Sequence, residues 1–282
     1  MQSKKIIVLA ISLTLSFGGL VSVAYANHSW GDYHWARTTN PFMLKIGNNV
    51  SSAWVPYLNE AISDWSVSPI LDLTKVTGST SPRNCKPKAG QIEVCSERYG
   101  KTGWLGIAQI WVSGSHITKA ITKVNDTYFK TSTYNKPAWR RLVMCQELAH
   151  DFGLNHQDEV FGNTNLGSCM DYTSDPDGTL ANPDQLTNEH ANTHDFDQIE
   201  TIYTHLDSTN TFASLVTSAR GSLNAVNSQL RSRLEDLDQD IDLDNPAEWG
   251  GAVRRDARGR NTLHVRDLGR GEKVFTFVTW VQ

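Results

Sequence analysis

The stretch Cys145-Gln146-Glu147-Leu148-Ala149-His150-Asp151-Phe152-Gly153-Leu154-Asn155-His156-Gln157-Asp158 decides how the rest of the chain is read. Pro137 suits the first turn of a helix running into it. Gln146 and His150 are four residues apart, so a helix sets them on one face, where both can point at one metal ion. Glu147 is turned aside from that pair yet stays close enough to handle a water beside the ion. Gly153 lets the chain leave the helix in a conformation that a side chain resists, and the turn can bring His156 back to the same ion. Cys145 is turned about 100° from the Gln146 direction, which makes its sulfur a poor ligand there.

A second stretch, Gly167-Ser168-Cys169-Met170-Asp171-Tyr172, follows at a short distance. The two together resemble the metzincin clan of zinc endopeptidases, nearest to its matrixin-like and related bacterial members. The clan's long pattern, H-E-x-x-H-x-x-G-x-x-H, is matched except at its first position, where Gln146 replaces a histidine. The second stretch is similar to the clan's Met-turn, with Met170 beneath the metal ligands and Tyr172 in reach of the metal or the oxyanion.

The resemblance implies an α+β fold: a twisted mixed five-stranded sheet, an active-site helix, a Met-turn and a closing C-terminal helix. It also implies a zinc-dependent metalloendopeptidase. His150 and His156 would bind Zn²⁺, with the Gln146 amide oxygen as a weaker third ligand. Glu147 would take the proton of a metal-activated water and return it to the leaving amine, and Tyr172 would donate to the oxyanion. Asp158 and His194 are alternative third ligands; Asp158 would otherwise orient His156 through its other ring nitrogen. Gln146 keeps a second reading open: a catalytically impaired metzincin-like module that binds an extended peptide with weak or absent zinc.

Residues 1–26 read as a secretory leader, with Lys4 and Lys5 before the apolar run 6–23 and Ala24-Tyr25-Ala26 as a small-x-small cleavage site. Ser12, Ser16, Gly18 and Gly19 interrupt the run, against a permanent anchor. The formal charge is −4, and losing Lys4 and Lys5 takes it to −6. Mild acidity speaks against nucleic acid as a partner. The expected partner is an extended peptide or protein substrate, with no membrane contact after leader cleavage and a monomeric state.

Four cysteines in an exported chain suggest two disulfides, with three possible pairings. Cys85–Cys95 closes a short loop and is the cheapest. Cys145–Cys169 would follow from the clan's arrangement, where the active helix and the Met-turn lie close.

Ahead of the active helix the sequence predicts a strand at 42–47 and an amphipathic helix at 51–65, from Trp54, Val55, Leu58, Ile62 and Trp65. Strands are expected at 71–76, 91–96, 104–112 and 117–124. By resemblance, 106–112 would wall the substrate cleft and pair with an extended peptide. A helix is expected at 192–205. The organisation is then a leader (1–26), a metzincin-like domain (27–206), an amphipathic helical or flexible linker (207–245) and a small β module (246–282) with strands at 251–256, 262–267 and 273–281. Arg254, Arg255, Arg258, Arg260, Arg266 and Arg270 give that module a charged face. The alternating acids Asp236, Asp238, Asp240, Asp242 and Asp244 lack the glycine and closing glutamate of an EF-hand loop, leaving Ca²⁺ without support. Asn27, Asn49 and Asn125 sit in N-x-S/T patterns. His28, Asp32 and His34, in the short piece before the first strand, are within reach of a metal.

Overall fold

The computed structural model describes residues 28–180, 185–212, 242 and 244–282. The leader, Asn27, and the linker helix with its acids up to Asp240 lie outside the described residues.

In chain order the elements are β1 (His34–Trp35), β2 (Phe42–Asn49), α1 (Val55–Trp65), β3 (Leu71–Thr77), β4 (Gln91–Glu97), β5 (Trp104–Ser113), β6 (His116–Asn125), α2 (Pro137–His150), α3 (Thr193–Ile202), β7 (Gly251–Arg255), β8 (Asn261–Gly269) and β9 (Glu272–Trp280). Local chemistry accounts for most of them. Pro56 opens α1, and Leu58, Ala61 and Trp65 bury one stripe of it at three- and four-residue spacing. Gly114, at φ 61°, turns β5 back into β6. The Asn192 side chain and Asp195 close a reciprocal capping box at the start of α3.

β2, β3, β4 and β6 run parallel; β5 runs antiparallel to β6. α1 and α2 lie together against the sheet, and the Trp65 indole donates to the Cys145 carbonyl at 3.2 Å, tying one helix to the other. Nearly all of α2 is buried, from Ala138 to His150. Both expected disulfides are present, Cys85–Cys95 and Cys145–Cys169, the second joining α2 to the loop that carries Met170.

The largest departure from expectation concerns the sheet. In place of five strands with a separate module, one nine-stranded sheet has the order β3-β2-β4-β6-β5-β9-β8-β7, with β1 beside β6. The expected C-terminal strands form, but they continue the main sheet because β9 pairs antiparallel with β5 from Trp104↔Trp280 to Ser113↔Glu272. Val274 to Thr279 is buried on both faces, which an isolated three-stranded meander cannot provide. The β5 edge expected to take an extended peptide is therefore occupied by this chain's own strand. Asn49 and Asn125 are buried, and the Asn125 amide donates to Gly100 and Thr102, so neither is presented as a sugar acceptor.

Candidate metal centre

α2 ends in the residues that matter most. Gln146, Glu147 and His150 lie on it, and the chain turns at Gly153, whose φ is 115°. A Cβ at Gly153 would come within 2.8 Å of the Tyr33 carbonyl oxygen, so both the backbone conformation and the space require glycine. The turn returns His156 to His150: their Nε2 atoms are 3.0 Å apart.

The backs of the two rings fix what those nitrogens carry. His150 Nδ1 lies 2.8 Å from the Leu154 carbonyl oxygen, and His156 Nδ1 lies 2.7 Å from Glu159 Oε1. Each contact is a hydrogen bond only with the proton on Nδ1. In the neutral rings both Nε2 lone pairs then face each other, an arrangement that a shared cation relieves. Zinc–imidazole bonds are about 2.0–2.1 Å, so nitrogens this close can meet at one ion. Burial, aided by the neighbouring His156, holds the His150 pKa well below the usual imidazole range and keeps the ring in the neutral form that ligation needs. The two histidines therefore fit a divalent metal.

The structure assigns the carboxylate behind His156 to Glu159 and not to Asp158. The Asp158 side chain is turned away, accepting from Val160 N and Asn163 Nδ2. Glu159 is itself held by the Thr262 hydroxyl on β8, at 3.1 Å. The His156 loop is strapped to the Met170 loop through Gln157 N to Met170 O at 2.6 Å and Tyr172 N to Asp158 O at 3.0 Å. Met170 is fully buried. The Tyr172 ring packs against His156 at 4.4 Å between centroids, and its hydroxyl donates to the Val278 carbonyl of β9 at 3.2 Å.

β9 closes the centre. Phe277 and Thr279 are two apart on one face of that strand. Phe277 lies flat on the His150 ring, 4.1 Å between centroids and 12° from parallel. The Thr279 hydroxyl donates to Gln146 Oε1 at 2.7 Å. The oxygen expected to be the third ligand thus has a protein donor, while Gln146 Nε2 has no hydrogen-bond partner among the described residues.

Glu147 is fully buried against β5. A Cβ at Gly106 would approach Glu147 Cγ and Oε1 and Val143 Cγ1 to 2.7 Å, so the carboxylate fits only because that strand position is glycine. Neither Glu147 oxygen has a hydrogen-bond partner among the described residues. Burial pushes its pKa up to about 8.

His194 does not join the pair at the end of α2. It stacks on His28 at 4.8 Å, and with His28 and Asp195 it forms a separate cluster of donors.

No family model matches the chain, and no curated protein matches it. Among solved structures it is similar to high choriolytic enzyme 1, a hatching-enzyme zinc-protease of the medaka fish Oryzias latipes, at 14% identity and a TM-score of 0.35, covering 61% of this chain and 94% of that one. A likeness at that level carries no argument about activity.

Proposed function

We propose that this protein is an exported, metzincin-like zinc metalloendopeptidase whose closed form holds its own β9 strand in the cleft. The observation that carries the reading is the pair of Nε2 atoms 3.0 Å apart with both Nδ1 positions engaged by acceptors. His150 and His156 would hold the ion, with Gln146 Oε1, which accepts from Thr279, as the candidate third ligand. When bound, zinc supplies Lewis acidity and brings the pKa of a bound water from 15.7 to about 7. Glu147, one residue past Gln146 on α2, is placed to accept a proton once β9 leaves and solvent lowers its pKa toward the usual carboxylate range. The β5 edge freed at the same moment would pair with an extended peptide.

Export is supported by the leader-like residues 1–26 and the two disulfides. No helix among the described residues is long and apolar enough to cross a membrane.

A second reading is favoured by one specific contact. Thr279 engages Gln146, the candidate third ligand on α2, and this chain's own strand pairs along the whole β5 edge. On this reading the cleft holds strands and does not cut them. The two separate by incubating purified mature protein with an unstructured protein substrate, with and without chelator, beside Glu147→Ala. Chelator-sensitive cleavage lost in Glu147→Ala supports the endopeptidase. Peptide binding without cleavage, unchanged in Glu147→Ala, supports the second reading.

A further inference from the structure

We infer a second metal centre, formed by His34, His205 and Asp207 with His116 against the same carboxylate, that takes a divalent transition metal of the zinc class. It lies apart from the His150–His156 pair and draws its donors from three separate parts of the chain. The parallel pairing of β1 with β6 sets His34 directly beside His116. The segment after α3 brings His205 and Asp207 to them.

The donor atoms of His34, His205 and Asp207 lie within 4.8 Å of one another. Asp207 Oδ1 is faced by three imidazole nitrogens: His116 Nε2 at 3.1 Å, His34 Nε2 at 3.4 Å and His205 Nε2 at 3.5 Å. The His34 ring packs edge-on to those of His116 and His205, at 5.0 and 4.9 Å between centroids. Imidazole and carboxylate are the donors that zinc and its neighbours prefer, and His34, His205 and Asp207 make a three-donor set with His116 beside it.

The His34 ring is oriented from behind by the backbone. His34 Nδ1 is 2.7 Å from the Asp32 carbonyl oxygen, which calls for the ring proton on that side. Its Nε2 is thereby directed at the Asp207 carboxylate, as a donor in the imidazolium and as a ligand atom in the neutral ring. With a cation among these atoms, the Asp32 contact is an orienting bond of the kind metal-binding histidines use.

The carboxylate is held in place for the role. Arg37 N donates to Asp207 Oδ2 at 3.0 Å, and Asp207 N donates back to the Arg37 carbonyl at 2.8 Å. The Arg37 guanidinium is the opposing charge, with Nη1 3.7 Å from Oδ2, and it lowers affinity for a cation. That guanidinium is directed elsewhere: it donates to the Tyr203 and His205 carbonyls at 2.6 Å each and to Asn40 at 2.8 Å. Oδ1 faces His116 and His205, while His34 Nε2 lies beside both oxygens, 3.4 Å from Oδ1 and 3.3 Å from Oδ2. The site opens to solvent on one side, since the His205 side chain is 61% exposed and that of His116 is 34% exposed. An ion can therefore enter without the fold opening.

The proposal is independent of any peptidase activity. Its test is titration of the full mature chain with Co²⁺ alone, read by visible absorption and by equilibrium dialysis, in a His150→Ala/His156→Ala background. One equivalent bound in that background, with affinity reduced at least about tenfold by adding His205→Ala, is the expected result; loss of an orienting partner alone costs about 10–100-fold. Asp207→Asn should act in the same direction, and the zinc-dependent rise in Tm should disappear with His205→Ala. Where the double background does not fold, wild type should bind one equivalent more than His205→Ala. Binding unchanged by His205→Ala, or a folded background that takes up no metal, would overturn the proposal.

Discussion

Two groups of histidines in this molecule use the same side chain in opposite settings. His150 and His156 sit at the end of α2, both almost wholly buried, under the Phe277 ring. His34, His116 and His205 gather round Asp207 where two of the three rings meet solvent. In both, a ring Nδ1 is engaged by a backbone carbonyl or carboxylate and Nε2 is directed inward. The difference lies in what covers them. An open centre exchanges its ion with solution and ties chain segments together; a sealed centre works only after something moves. The comparison teaches that ligand geometry is set by local turns and caps, whereas access is set by a strand more than a hundred residues away in sequence.

The largest expected effect concerns chemistry at the sealed centre. Glu147→Ala should lower any endopeptidase turnover by about 10²–10⁴-fold, the range for loss of a general base, while His205→Ala leaves turnover unchanged. An equal loss in both variants, measured as initial cleavage rate, would erase the distinction between the centres.

Next in size is the cover itself. Phe277→Ala should cost about 3–5 kcal/mol of stability by denaturant titration, because the ring is fully buried among Trp30 and the two histidines. The same change should speed chelator removal of metal from the sealed centre toward the rate of the open one. If the two centres already release metal equally fast in wild type, β9 is not the barrier.

The centres should also differ in the sign of their pH dependence in chelator-treated protein. Burial raises Glu147 from 4.5 to about 8, so between those values the folded chain holds a proton that the unfolded chain has released. Stability from this group is full below about pH 4.5 and is lost as pH rises through about 8, by an amount on the order of a few kcal/mol. Asp207 is shifted the other way. Although burial opposes it, hydrogen bonds from Arg37 N and His34 hold its pKa below the usual carboxylate value, so its contribution is lost as pH falls. Glu147→Gln should flatten the alkaline limb of a stability–pH profile and Asp207→Asn the acid limb. The reverse assignment would contradict the burial argument.

A smaller effect is expected at Gly106. Gly106→Ala would press a methyl against Glu147 and Val143 and should cost about 1–3 kcal/mol, read as a lower denaturation midpoint.

Much of this was legible in the sequence because it is local. The helix stripe of α1, the β5–β6 hairpin, the Gly153 turn and the three C-terminal strands all follow from spacing and turn chemistry. The Glu147–His150–His156 constellation is a single contiguous motif, and the structure brings its two histidines together. The seating of β9 on β5 has no counterpart in the sequence pattern, since strand pairing across such a separation leaves no local mark. One signal was present: Val274-Phe275-Thr276-Phe277-Val278 is bulky on both faces, the composition of a strand with two covered sides. Choosing Glu159 over Asp158 required the loop's actual path, because the two neighbours point to opposite sides of it. The His34–His116–His205–Asp207 cluster was invisible for a different reason: its members are scattered over most of the chain, and only the fold makes them neighbours.

The most direct test of the account is zinc analysis of His205→Ala protein, with and without His156→Ala. The account predicts about one zinc per chain in the first and none in the second, since with the open centre disabled the remaining ion sits between His150 and His156. A zinc-free His205→Ala protein, or zinc retained in the double variant, would contradict a metal centre at the end of α2.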